Sequence, residues 1–121
     1  MKTDKSIDTS NMFQSIYDFP SQMNDAKSIG ENINLKNTYL DSQNIIVCGM
    51  GGSAIGGDLA RSLINNSLKI PLTVSRNYKL PNWVNNNSIV VCSSYSGNTE
   101  ESLAAYHDAV SKGAKVIGIT T

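Results

Sequence analysis

Two short stretches of this 121-residue chain hold residue types that bind anions. The first is Gly49-Met50-Gly51-Gly52-Ser53-Ala54-Ile55-Gly56-Gly57-Asp58, directly after the apolar run Ile45–Cys48. Small residues let a backbone turn sharply and bring its N–H groups close to a ligand. A helix that follows such a turn adds unpaired N–H groups and a partial positive charge. Gly56 and Gly57 fall inside that expected helix, where each costs about 1 kcal/mol against alanine. Something must therefore approach the helix face closely, either a neighbouring strand or a ligand. The second stretch is Ser93-Ser94-Tyr95-Ser96-Gly97-Asn98-Thr99-Glu100-Glu101. Asn98 with Glu101 matches a capping box, and Thr99 is an alternative helix cap. Hydroxyls combined with free helical N–H groups bind the non-bridging oxygens of a phosphate monoester without any lysine. Tight turns and helix capping explain either stretch taken alone. Two such loops converging on one crevice point instead to an anion site. Glu100 and Glu101 would repel a phosphate, but in a first helical turn they stabilise the helix dipole. They are read as helix residues and not as catalytic bases.

The elements around these loops alternate. Apolar runs predict strands at Ile45–Cys48, Leu72–Val74, Ser88–Cys92 and Val116–Ile119, the first of them fully buried. Helical spacing predicts a helix over Ala54–Asn65 with Ile55, Leu59, Leu63 and Ile64 inward. A second helix is predicted over Thr99–Lys112 with Leu103, Tyr106 and Val110 inward and Gly113 as its stop. Such alternation implies an α/β fold, a doubly wound parallel sheet of flavodoxin-like order 2-1-3-4. The ligand crevice then lies beyond the carboxyl ends of strands 1 and 3, and Pro71 suits an edge position for strand 2. A fifth strand is missing, which leaves strand 4 as an uncovered apolar edge, so the chain is expected to be a truncated piece of a longer one. Ahead of the sheet, Met1–Ser10 is polar and expected to fray. Met12, Phe13, Ile16 and Tyr17 suggest a short helix. A second starts at Pro20 or Ser21 with Met23, Ala26, Gly30 and Ile33 as its stripe. The expected organisation is a helical arm over 1–40, packed beside an incomplete domain over 41–121.

Composition narrows the function classes. Ten Lys+Arg balance ten Asp+Glu, with no basic stripe to hold nucleic acid or an anionic membrane. A hydrophobic content of 40% with three prolines argues for a folded chain. No apolar run approaches the ~18 residues of a membrane span, and the polar start does not resemble a secretory signal. A soluble cytoplasmic protein is expected. Cys48 and Cys92 are read as inert core thiols, without a disulfide or zinc site. His107 reads as a half-exposed helix residue, and Trp83 and Tyr95 as packing residues. Arg76 and Lys79 either meet an anion or solvate a loop.

The glycine loop with Ser53, the stretch Arg76-Asn77-Tyr78-Lys79-Leu80-Pro81, and Ser94 to Glu101 together resemble the bifunctional phosphoglucose/phosphomannose isomerases of the sugar isomerase (SIS) domain superfamily. The resemblance runs from about Met12 to Thr121. It implies two such domains in tandem, a homodimer, and a hexose 6-phosphate bound between domains. The implied reaction interconverts glucose 6-phosphate or mannose 6-phosphate with fructose 6-phosphate, with neither cofactor nor metal. It further implies that Gly51, Gly52, Ser53, Ser94, Ser96 and Thr99 hold the phosphate. The family's catalytic glutamate, histidine, arginine and lysine would lie beyond Thr121, and His107, Glu100 and Glu101 do not match them. Two alternatives stand beside this reading. One is a sugar-phosphate-binding module without turnover. The other is a NAD(P)-binding Rossmann enzyme, for which Gly49-x-Gly51-x-x-Ala54 fits but Ser75-Arg76 lacks the ribose-binding acid.

Overall fold

The computed structural model describes residues 7–121. The expected fraying of residues 1–6 lies outside the described residues. Asp8, in contrast, is engaged: its carboxylate accepts the N–H groups of Met12 at 2.6 Å and Phe13 at 3.0 Å. Two helices follow, α1 (Met12–Tyr17) and α2 (Phe19–Glu31), with Pro20 in the first turn of α2, where its missing N–H breaks no bond. α2 ends before Ile33, so the predicted stripe loses its last member. The chain divides into two compact units, one ending at Leu35 and the other spanning Lys36–Thr121.

The second unit is built on four strands and two helices. β1 (Asn44–Cys48) leads to α3 (Gly51–Ile64), and β2 (Leu72–Ser75) continues through a long loop to β3 (Ser88–Ser93). α4 (Glu100–Ser111) and β4 (Lys115–Ile119) complete it. The strands form one parallel sheet in the order β2-β1-β3-β4, with Ile46 beside Thr73 on one side and Val90 on the other, and Cys48 beside Cys92. β2 takes the edge, and the Pro71 carbonyl accepts the Ile45 N–H at 2.9 Å. The missing donor of Pro71 therefore costs the ladder nothing.

The core occupies one face of this sheet. Ile46, Cys48 and Val90 pack against Ala105 and Ala109 of α4 and against Leu80 and Val84 of the β2–β3 loop. That loop is fixed at Leu80, whose N–H donates to the Asp108 carboxylate at 2.8 Å. The opposite face is only half-buried at Ile45, Val47 and Val91. β1 is thus buried on one face, not on both as its unbroken apolar run predicts, because α3 presents small residues there.

Both predicted helix faces are corrected. Ile55, Leu59 and Leu63 of α3 are 64%, 50% and 72% exposed, and Leu103, Tyr106 and Val110 of α4 are exposed as well. The buried positions are Ala54 and Gly57 in α3 and Ser102, Ala105 and Ala109 in α4. A helix lying directly on a sheet excludes bulk at its line of closest approach. At Gly57 a Cβ would sit 2.8 Å from the Val47 side chain, so the strand, and not a ligand, is what demands that glycine.

Candidate functional site

The glycine stretch is not a free loop before a helix. α3 begins at Gly51, three residues earlier than the sequence suggests, so Gly51, Gly52 and Ser53 form its first turn. Their N–H groups belong to the set that an α-helix leaves without an i−4 carbonyl. Only the Ser53 N–H turns back, to the Met50 carbonyl at 3.1 Å, and Met50 at the N-cap position offers no side-chain acceptor bond. Gly49 sets the distance between this turn and the next strand. A Cβ at Gly49 would lie 2.9 Å from the Ser93 carbonyl oxygen and 3.2 Å from the Ser53 Cβ. The carboxyl ends of β1 and β3 are therefore pressed together at that residue.

The second loop starts α4 at Glu100 with Thr99 as N-cap. Thr99 takes the cap position in place of the Asn98–Glu101 box, yet its hydroxyl makes no bond to the helix. It turns to Ser94 instead, with 2.9 Å between the two hydroxyl oxygens. Ser94 is buried and Thr99 half-buried. Two hydroxyls thus sit side by side at a helix start whose first N–H groups carry no side-chain cap, an arrangement suited to anion oxygens. Ser96 is exposed, and its Oγ accepts the Asn98 N–H at 3.3 Å.

A hollow of about 220 Å³ opens between the two loops, lined by Ser53, Ser93, Tyr95, Ile119, Thr120 and Thr121. Of the six predicted phosphate residues, Ser53 lines it. Gly51 and Gly52 lie on the same first turn of α3, while Ser94 and Thr99 lie as a pair at the start of α4. Ser96 shares their loop but faces outward. Ser93, Tyr95, Thr120 and Thr121 are additions. Thr120-Thr121 carries the same signal as the second loop, hydroxyls directly after an apolar strand. Tyr95 corrects the expectation of a packing residue, since it is 81% exposed.

The charged groups nearby are engaged elsewhere. The Tyr78 hydroxyl donates to Glu100 at 3.4 Å, and the carboxylates of Glu101 and Glu100 push the phenol pKa up. Arg76 pairs with Asp58, which also faces Arg61 at 3.5 Å, so Arg76 meets a carboxylate of its own chain. Burial, with Cys92 beside it, pushes the Cys48 thiol up to about 12, and burial raises Cys92 too. Both stay protonated at neutral pH, as inert thiols do. Among the described residues, no His, Cys, Asp and Glu side chains gather into a metal-holding group, and no helix is long and apolar enough to cross a membrane.

The SIS domain family profile matches residues 38–121. The chain belongs to the SIS domain family. Over 110 residues, this SIS chain is 49% identical to a bifunctional phosphoglucose/phosphomannose isomerase from Caldicellulosiruptor bescii, covering 91% of the chain and 32% of that relative. It is 44% identical over 78 residues to the protein of the same name from Aquifex aeolicus, covering 64% of the chain and 24% of the relative. The SIS chain thus spans about a third or less of these relatives' length. Among solved structures, a protein assigned as a phosphosugar isomerase from Clostridium difficile 630 shares the fold. Its TM-score is 0.71 at 22% identity, over 84% of this chain and 30% of that one.

Proposed function

We propose that this chain is the phosphate-binding amino-terminal part of an aldose–ketose isomerase that interconverts glucose 6-phosphate or mannose 6-phosphate with fructose 6-phosphate. The carrying observation is the Ser94–Thr99 hydroxyl pair at the uncapped start of α4, one strand away from the glycine-rich start of α3. Gly51, Gly52, Ser53, Ser94, Ser96 and Thr99 are the residues assigned to the phosphate. The relatives' names supply the reaction class. The chemistry fits one phosphate grip serving two aldoses. Removing the proton at carbon 2 gives a planar enediol in which the glucose and mannose configurations become equivalent. One carboxylate base serves both, with donors stabilising the oxyanion. The phosphate supplies remote binding energy that holds the reacting carbons in place. The hollow of about 220 Å³ is smaller than the ~300–1,000 Å³ of a complete small-molecule site, which suits one wall of a larger pocket.

The test uses the product of the complete open reading frame in coupled assays. Fructose 6-phosphate is expected to give both aldose phosphates, and turnover to neither refutes the proposal. A second reading is a sugar-phosphate-binding module without turnover, for which the hydroxyl lining of the hollow suffices. Binding of fructose 6-phosphate without turnover by the complete product selects that reading. Homodimerisation and a cytoplasmic location are proposed alongside, by the same kinship.

A further inference from the structure

The loop that carries Ser94 and Ser96 is closed from within by side chains, Ser94 to Thr99 and the Asn98 N–H to Ser96. Its one internal backbone closure is the Gly97 N–H to the Ser94 carbonyl at 3.2 Å, with Gly97 at φ +70°, a conformation natural to glycine alone. Tyr95, the largest side chain in the loop, points its ring into solvent, and Ser96 is exposed. A further set of restraints comes from the end of β4. The Ser94 N–H donates to the Ile119 carbonyl at 3.0 Å and so extends the β3–β4 ladder by one bond. The Thr121 hydroxyl donates to the Tyr95 carbonyl at 2.8 Å. Thr120 stands between them, its Oγ1 only 3.1 Å from where a Gly97 Cβ would be, which closes the space above the turn.

We propose that Thr121 is a positioning residue for the anion site: its hydroxyl ties the Tyr95 carbonyl and thereby holds the Ser94–Asn98 loop in the shape that presents its hydroxyls to a phosphate. The inference rests on the phosphate-binding role proposed above. Ser94 sits between two restraints from β4, at its own N–H and at the next carbonyl. Losing the second frees the turn at Gly97 while the sheet bond at Ser94 persists. The cost then falls on ligand binding and not on the core, because Thr121 and Tyr95 are both exposed. Threonine to valine keeps the shape and removes the donor, whereas serine keeps the donor.

The experiment compares wild type, Thr121→Val and Thr121→Ser in the same chain. Isothermal titration with inorganic phosphate and with fructose 6-phosphate reads affinity, urea midpoints read stability, and amide hydrogen exchange at Gly97 and Asn98 reads the tie without any ligand. Thr121→Val is expected to weaken both ligands by about five- to tenfold, the scale of one hydrogen bond. It is also expected to speed exchange at Gly97 and Asn98 and to leave the urea midpoint in place, with Thr121→Ser restoring affinity and exchange. Wild-type affinity and exchange in Thr121→Val overturn the inference, and so does a Thr121→Ser variant that behaves like the valine. A wild type that binds neither ligand overturns the functional reading instead, and the exchange comparison still decides the tie.

Discussion

Thr99 directs its hydroxyl to Ser94, five residues back, at 2.9 Å, and not to the N–H groups of the helix it begins. A threonine at this position ordinarily caps its own helix, a bond whose loss costs about 1 kcal/mol. Here the hydroxyl is held beside a second one while the first turn of α4 keeps its donors. The arrangement forgoes a local capping bond and leaves a pair of hydroxyls beside a positive helix end, where an incoming anion can complete both.

Removing either hydroxyl is therefore expected to act on binding. Ser94→Ala is expected to weaken fructose 6-phosphate and inorganic phosphate by ~10- to 100-fold, the equivalent of ~1.5–3 kcal/mol for a hydrogen bond to a charged group. Thr99→Val should do the same. Thr99→Ser, which keeps the hydroxyl, should stay close to wild type. Titration calorimetry reads all three. Equal affinity in Ser94→Ala and wild type refutes the assignment.

Gly49 sets how closely the two loops approach. An added Cβ meets the Ser93 carbonyl at 2.9 Å, so backbone must shift to admit it. Gly49→Ala is expected to destabilise the chain by ~1–3 kcal/mol, as overpacking does, and to weaken phosphate binding beyond that by prising Ser53 from the β3 end. Urea denaturation gives the first quantity and calorimetry the second. A variant with wild-type stability would show that the strands do not bear on each other there.

Strand positions and sheet order were legible in the chain. The run Ile45–Cys48 stops at Gly49 as β1 does, Ser88–Cys92 falls one residue short of the end of β3, and Pro71 marks the edge that β2 occupies. Helix faces were not. Counting large apolar residues places Leu59 and Leu103 inward, whereas a helix seated on a sheet puts its smallest residues, Gly57 and Ala105, at the contact. The start of α3 was hidden for a related reason. Gly51 and Gly52 read as loop by propensity, yet they open a helix whose position is set by packing at Gly49 and Gly57. Of the site, the two hydroxyl-bearing loops were legible, but the direction of the Thr99 hydroxyl was not. It is set by the pairing with Ser94 five residues back, which takes the place of the capping bond that the local pattern suggests.

The helix-face correction has a direct test in paired substitutions. Ala105 is fully buried against the sheet, so Ala105→Leu is expected to cost ~1–3 kcal/mol by overpacking. Leu59, half-exposed on the outer side of α3, should accept glutamine within ~0.5 kcal/mol. Urea midpoints rank the two. The reverse ranking would restore the inward-facing leucines that periodicity suggests.

The β2–β3 loop carries Leu80 into the core and depends on one acceptor. Asp108→Ala leaves the Leu80 N–H without its 2.8 Å partner beside a buried side chain. The expected loss is ~1–3 kcal/mol, the desolvation cost of an unpaired polar group. Asp108→Asn keeps an acceptor oxygen and should recover most of it. If alanine and asparagine cost the same, the bond to Leu80 is not what fixes the loop.

The buried thiol makes stability fall on the alkaline side. Cys48 ordinarily ionises near 9.0 but is pushed up to about 12 in the folded chain, chiefly by burial and secondarily by Cys92. Well below pH 9 the thiol is protonated in both folded and unfolded chains and contributes no pH dependence. Between about 9 and 12 the unfolded chain releases this proton while the folded chain keeps it. Unfolding then becomes more favourable as pH rises, by up to about 1.4 kcal/mol per pH unit. The rest of the chain is common to both proteins, so the informative quantity is the difference from Cys48→Ala. Wild type and Cys48→Ala should differ by a constant amount well below pH 9, and as pH rises through 9 the wild type should lose stability more steeply than the variant. Urea midpoints at intervals from pH 7 to about pH 11 measure that divergence across the window where the linkage acts. Parallel curves throughout would mean that the thiol ionises as readily in the folded chain as in the unfolded one.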